Sequence, residues 1–284
     1  MEKIAVVTDT GSNLSFAQAK ELGIYLLPLQ ITIDETTYQD TLEISTQDIY
    51  NELAKGKMPK TSMAAYQKIY DLFEKLKKEY DTVFAIPLTN GLSTNASTMQ
   101  SIARELEMNV HVIDMYATCA LEKHVAIWIK KLVDEHKSSE EILKIIQPAI
   151  DESNSLILVK NLQHLKRGGR LTPMAATLAG LLKIYPVLHI NKSTEGRIDV
   201  LNKVRTEKRA DAYAIDKVID DIDIEHTVIY IIHSDFLEGA NHFKKCFIEK
   251  GVPEQNIHID YISSVIAVHT GLGCIAIQYI REEN

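Results

Sequence analysis

The stretch Ile4-Ala5-Val6-Val7-Thr8-Asp9-Thr10-Gly11-Ser12 decides how the chain begins. Apolar residues run into a polar turn, and a helix is expected directly after it. Ser12 or Asn13 can cap that helix, and Leu14, Ala17 and Leu22 fall at roughly helical spacing. Strand, short turn and helix open an α/β fold, in which ligands gather outside the carboxyl ends of the strands. Asp-Thr-Gly-Ser is also how an aspartic protease presents its carboxylate. That chemistry needs a second carboxyl group sharing one proton. No second Asp-Thr-Gly or Asp-Ser-Gly occurs in the 284 residues, which speaks against it.

The pattern continues outward from this beginning. Apolar runs at residues 4–8, 25–33, 83–87 and 110–114 read as strands, and amphipathic stretches at 15–22, 45–55, 64–78, 94–106, 117–136 and 138–150 as helices. Such alternation predicts a mainly parallel sheet covered on both faces. The second half reads as a mixed sheet. Strands are expected at 156–160, 184–190, 198–204, 227–233 and 257–261, the second and third joined as an antiparallel pair by "NKSTEGR". Helices are expected at 173–182, 206–219 and 236–250. The fold class is therefore α/β in two domains, 1–152 and 153–284, divided where a long helix ends in polar residues.

Composition narrows the function classes. The chain is 45% apolar and 25% charged, as globular proteins are. A net charge of −8 argues against a nucleic-acid binder. Cys119, Cys246 and Cys274 lie far apart in apolar surroundings without metal-ligand spacing, so buried thiols of a reducing cytosol are expected and no metal site. The strand at residue 4 leaves no room for a signal peptide. The uncharged run 261–280, "YISSVIAVHTGLGCIAIQYI", has the length of a membrane span. Its His269, serines, Thr270 and glycines fit a protein interior better, as a buried strand with a turn.

Polar residues mark the strand ends. Thr61-Ser62 precede a helix, and so do Ser93-Thr94; both pairs can cap, and both can offer donors to an anion at one sheet edge. Gly91-Leu92-Ser93-Thr94-Asn95 nearly matches the Gly-x-Ser-x-Gly nucleophile elbow, with His269 and Asp9 as nominal partners, so a serine esterase using Ser93 is an alternative. His269 precedes the turn Thr270-Gly271-Leu272-Gly273 in an apolar run, where a satisfied interior histidine is equally at home. Basic residues cluster at Lys166, Arg167 and Arg170 around Gly168-Gly169, and again at Lys203, Arg205, Lys208 and Arg209.

Taken together, these segments resemble the DegV family, the fatty-acid-binding subunits of bacterial fatty acid kinase. The match runs from the first strand to the last: Thr8-Asp9-Thr10 with Leu14, Thr61-Ser62, Gly91-Leu92-Ser93, Val112-Ile113-Asp114, Leu165-Lys166-Arg167-Gly168-Gly169-Arg170, Lys203-Val204-Arg205-Thr206, His233-Ser234-Asp235 and His269-x-Gly271-x-Gly273. The resemblance implies a non-catalytic carrier that holds a long-chain fatty acid in a buried tunnel, its head group at the domain interface. It implies no cofactor beyond that ligand. A separate ATP-binding kinase subunit would phosphorylate the carboxyl group, and the acyl phosphate would pass to phospholipid acyltransferases. A cytoplasmic location, with transient membrane contact and no membrane span, goes with this. Carried over residue by residue, Thr61, Ser62, Ser93 and Thr94 would hold the carboxylate and His269 would support it. Arg170 would stand at the mouth, and Arg170, Lys203 and Arg205 would serve the phosphoryl group and the docking kinase. Asp9 would organise the loop around Thr61-Ser62. The chain departs from the family pattern at Met63-Ala64, where Gln-Pro is common, at Thr94-Asn95 for Gly-Thr, and at Leu272 for proline. A DegV-like regulator that binds another small anion is the further alternative.

Overall fold

The computed structural model describes residues 2–181 and 183–282. The first half builds two sheets. Strands β1 (Ile4–Asp9), β2 (Tyr25–Leu27), β6 (Thr82–Ile86) and β7 (Val110–Val112) form a parallel sheet in the order β2-β1-β6-β7. Strands β3 (Gln30–Ile33), β4 (Thr36–Gln39) and β5 (Lys60–Ser62) form a small antiparallel sheet ordered β4-β3-β5. Helices α1 (Phe16–Leu22), α2 (Thr46–Ala54), α3 (Tyr66–Lys77), α4 (Asn95–Glu105), α5 (Ala120–Asp134) and α6 (Ser139–Glu152) connect and cover them. Every residue of β1 is buried, as expected for a parallel strand with helices on both faces. Ser15, Ser45 and Ser138 each close a reciprocal capping box with the residue three ahead, which sets the starts of α1, α2 and α6.

The second half builds one mixed sheet, ordered β10-β9-β8-β13-β11-β12, from β8 (Asn154–Leu158), β9 (Tyr185–Ile190), β10 (Asp199–Val204), β11 (Thr227–His233), β12 (Ile257–Tyr261) and β13 (Ile275–Arg281). Among the described residues, only β11 and β12 pair in parallel there; β9 and β10 form the antiparallel pair expected from the sequence. Its helices are α7 (Leu162–Gly168), α8 (Pro173–Leu178), α9 (Glu207–Asp221), α10 (Leu237–Glu249) and α11 (Ser264–Thr270). One apolar cluster spans both halves, running from Val7, Ile31 and Ile69 to Leu165, Leu188 and Val268. Among the described residues, no helix is long and apolar enough to cross a membrane.

Several expectations are corrected. The single strand at 25–33 is two strands in different sheets, because Pro28 has no N–H to continue the ladder. Thr61 and Ser62 cap no helix: they lie in β5, and α3 starts at Tyr66 without a side-chain cap. The run 261–280 contains a helix, α11, before its strand. The helix expected from 117 starts at Ala120, after Cys119 at φ 55°. The helix expected over 173–182 ends at Leu178, and residue 182 lies outside the described residues. Cys119 and Cys274 are buried, but Cys246 is half-exposed.

Candidate functional site

The segments that follow β2 and β6, the middle of β5 and the end of α11 converge on one cavity of about 400 Å3. Antiparallel pairing sets Thr61 opposite Ile31 of β3, and the alternation of a strand leaves Lys60 and Ser62 exposed while Thr61 turns inward. Thr61 Oγ1 and His269 Nε2 are 2.7 Å apart. The other side of the ring contacts Gly168, also through a backbone hydrogen bond; a Cβ there would lie 2.9 Å from His269 Nδ1. That hydrogen bond favours the protonated ring, so a carbonyl accepts it and Nδ1 carries the hydrogen. Thr61 then donates its hydroxyl proton to Nε2. Burial, the charge of Arg170 and that of His164 push His269 down to about 3, so the ring is neutral at pH 7.

The Ser93 loop follows β6. The Thr89 carbonyl accepts from the N–H groups of Leu92 and Ser93, and Ser93 Oγ accepts from the Asn95 N–H at 3.2 Å. With that lone pair engaged, the Ser93 hydroxyl proton stays available to a ligand. Thr94 makes no cap bond; its hydroxyl contacts Met63 Sδ. Asp9 does not organise Thr61-Ser62, as the sequence suggested. Its carboxylate accepts from the Leu88 N–H (2.9 Å) and from Asn95 Nδ2 (2.7 Å), so it holds the Ser93 loop instead.

α11 carries His269 and stops at Gly271, whose φ of +76° few other residues adopt. The His233-Ser234-Asp235 segment ties down the turn beyond it. Ser234 Oγ donates to the Gly271 carbonyl (2.7 Å) and accepts from the Cys274 N–H (3.0 Å). Arg170 follows α7 and donates through Nη1 to the Gly168 carbonyl at 2.6 Å. Among the described residues of the cavity wall, Arg170 is the one with a permanent charge.

Thr61, Ser62, Ser93, Thr94, Arg170 and His269 are thus brought together. Lys203 and Arg205 are not in the wall. They are exposed at the far end of β10, which leaves the cavity at Ile198. Leu29, Leu88, Asn90, Val265 and Ile266 also line it and were missed from the sequence. Leu29 was hidden inside the supposed strand at 25–33, and Val265 and Ile266 inside the supposed strand with a turn. The apolar cluster that includes Ile198 and Val265 also holds buried Leu165, Ala175, Leu188 and Ile190.

The arrangement suits a small anionic head with an apolar extension: hydroxyl donors and one guanidinium above, aliphatic side chains below. It does not suit a serine hydrolase. Among the described residues, His269 bonds Thr61 and not Ser93, and Asp9 bonds no histidine.

Comparison with known proteins fits this architecture. A family model described as uncharacterised proteins of the DegV family matches residues 3–282. A DegV domain-containing protein of Halalkalibacterium halodurans is 32% identical over 289 residues, covering 100% of both chains. A fatty acid binding DegV family protein from Streptococcus agalactiae superposes with a TM-score of 0.91 at 30% identity, covering 100% of both chains. DegV from Bacillus subtilis, described as a fatty acid binding protein, superposes at 0.86 and 27% identity, covering 99% of this chain and 100% of its own. With a family model spanning nearly all its residues and a relative about a third identical from end to end, the chain belongs to the DegV family.

Proposed function

We propose that this protein binds a long-chain fatty acid between two domains, 1–152 and 153–284, and presents its carboxyl group to a separate ATP-dependent kinase subunit. The observation that carries the reading is the convergence of Thr61, Ser93, His269 and Arg170 over an aliphatic floor in one cavity. The fatty-acid-binding descriptions of the Streptococcus agalactiae and Bacillus subtilis proteins support it. A carboxylate taken from water needs fixed donors, which the hydroxyls and the guanidinium supply. The tail supplies affinity: ~0.8 kcal/mol per buried CH2 amounts to ~10 kcal/mol for a long chain. In this reading the tail parts the seam below Ile198, between Leu165, Ala175, Leu188 and Ile190. The protein itself performs no chemistry. Arg170 meets the incoming phosphoryl group, Lys203 and Arg205 receive the kinase, and the acyl phosphate passes to phospholipid synthesis in the cytoplasm, with transient membrane contact.

Mass spectrometry of organic extracts of the purified protein tests this. A stoichiometric long-chain fatty acid is the expected result. A different bound anion would favour a regulator instead, and turnover of a chromogenic short-chain ester that is lost in Ser93→Ala would favour an esterase.

A further inference from the structure

Beneath the Ser93 loop lies a second carboxyl group that the proposed function does not use. Glu122, on α5, is fully buried beside fully buried Asp9. A Cβ on Gly11 would sit 2.8 Å from Asp9 Oδ1 and 3.1 Å from Glu122 Oε2, so both oxygens crowd that glycine. The donors around them can be counted. Burial pushes Asp9 up as well, but Asp9 accepts three N–H bonds that oppose this and favour its carboxylate, from Gly11 (2.8 Å), Leu88 (2.9 Å) and Asn95 Nδ2 (2.7 Å).

Glu122 has no comparable supply. Its Oε2 meets no donor. Its Oε1 is 3.1 Å from Thr8 Oγ1, but the single Thr8 proton is directed to the Ile86 carbonyl at 2.7 Å, and a carbonyl has no proton to give back. The other titratable groups that bear on the pair are Cys119, acting on Glu122, and Asp40, which interacts with Asp9; both add negative charge if they ionise. Among the described residues, no Lys, Arg or His forms an ion pair with either acid. An ionised Glu122 would be an unpaired charge in a sealed interior, which folded proteins avoid.

We propose that Glu122 carries a proton and shares it with Asp9, and that this pair is the positioning device for the Ser93 hydroxyl, acting through Asn95. The chain of contacts is continuous. Glu122 donates to Asp9, Asp9 accepts from Asn95 Nδ2, and the Asn95 N–H holds Ser93 Oγ. One proton thus keeps a single negative charge at Asp9, where it grips both ends of the loop, at Leu88 and at Asn95. The direction of titration agrees: burial, then the charge of Asp9, push Glu122 well above the usual carboxylate range. The proton count is independent of the ligand, whereas the role assigned to Ser93 rests on the fatty-acid reading.

Unfolding of wild type and E122Q is compared from pH 5 to 8. The wild type holds a proton that its unfolded chain has released, so its stability relative to E122Q falls as pH rises, by up to tenfold per pH unit in the unfolding constant. Parallel curves overturn the shared proton. If E122Q does not fold, the infrared spectrum of the wild type at pH 8 decides: a protonated carboxyl band is expected, and its absence overturns the proposal. The positioning role is read from palmitate affinity in N95A, S93A and the double variant. Losses that fail to add support it, and fully additive losses overturn it. Wild-type protein that binds no palmitate would sink the fatty-acid reading and the Ser93 role together, leaving the shared proton to the pH curves.

Discussion

Ser93 and Thr61 present their hydroxyls in different states of readiness. Ser93 Oγ already accepts from the Asn95 N–H and keeps its proton free, while the Thr61 proton goes to His269. Ser93→Ala removes a ready donor, so palmitate affinity should fall roughly 5- to 150-fold, about 1–3 kcal/mol. Thr61 must turn from the ring to a ligand and strand Nε2, so Thr61→Val should cost less than Ser93→Ala in the same displacement titration. An equal or larger cost would reverse the assignment of the Thr61 proton. The ring gives a second check. An ordinary histidine titrates near 6.5, whereas burial and Arg170 hold His269 down at about 3. Below 6.5 the unfolded chain takes a proton that the native ring refuses, so this site's contribution to stability is lost as pH falls from 6.5 towards about 3. In an NMR titration of the native protein, the His269 ring signals should stay flat from pH 8 to 5. A midpoint near 6.5 would mean the ring is not sealed as described.

Among the elements, the hairpin between β9 and β10 matters beyond its own sheet. Its Gly196, at φ +71°, presses on the Ser93 loop: a Cβ there would come within 2.0 Å of Thr89 Oγ1, and one on Gly91 within 2.2 Å of the Gly196 backbone. Gly196→Ala should therefore cost about 1–3 kcal/mol in urea unfolding and lower palmitate affinity as well, because Thr89 anchors Ser93. Gly56, at φ +82°, has nothing within 4 Å of its Cβ position, so Gly56→Ala isolates the backbone strain alone. If the two variants lose equal stability and neither loses affinity, the contact does not set the loop. This contact was invisible in the sequence, where "NKSTEGR" looked like an ordinary polar turn. Elements with a strong period were legible: β1 by its apolar run, and α1, α2 and α6 by their amphipathic stretches, although Ser15 caps α1 in place of the expected Ser12 or Asn13. What misled was local ambiguity. The hydroxyl pair Thr61-Ser62 suits a helix cap as well as a strand. The run 261–280 is apolar on every side, so its period could not separate α11 from a strand. The grouping of Thr61, Ser93, His269 and Arg170 was available only through family likeness, since no spacing rule links positions so far apart.

For the molecule as a whole, the two sheet systems meet where α2 and the loop after β4 receive the chain that enters α11. The Tyr50 hydroxyl donates to the Ile262 carbonyl at 2.6 Å, and the Ser264 hydroxyl donates to buried Asp40. Burial pushes Asp40 up from 3.8 to about 6, against the donors Ser264, Thr10 and Thr41. The native chain thus keeps a proton that the unfolded chain gives up, and the associated stability is complete below 3.8 and lost as pH rises to about 6. Wild type should lose stability relative to Asp40→Asn across that window and run parallel to it above. A constant difference from pH 4 to 7 would refute the shift. Joining the halves in this way also leaves Arg170 of the second half over a cavity whose Thr61 and Ser93 hydroxyls come from the first. Its charge is half-exposed and, among the described residues, unpaired by any carboxylate, so in the proposed reading it adds little to holding a tail-anchored fatty acid beside the hydroxyls; exposed pairs contribute about 0–1 kcal/mol. A phosphoryl group crossing to the carboxylate is different, because charge builds there and a guanidinium meets it with two donors. Arg170→Ala should therefore keep its bound fatty acid through purification. Supplied with ATP and the cognate kinase, it should form acyl phosphate roughly 100-fold more slowly, and Arg170→Lys should recover only part of that rate, since an ammonium restores the charge without the fork. Undiminished acyl phosphate from Arg170→Ala, or lipid lost along with turnover, would remove Arg170 from this role.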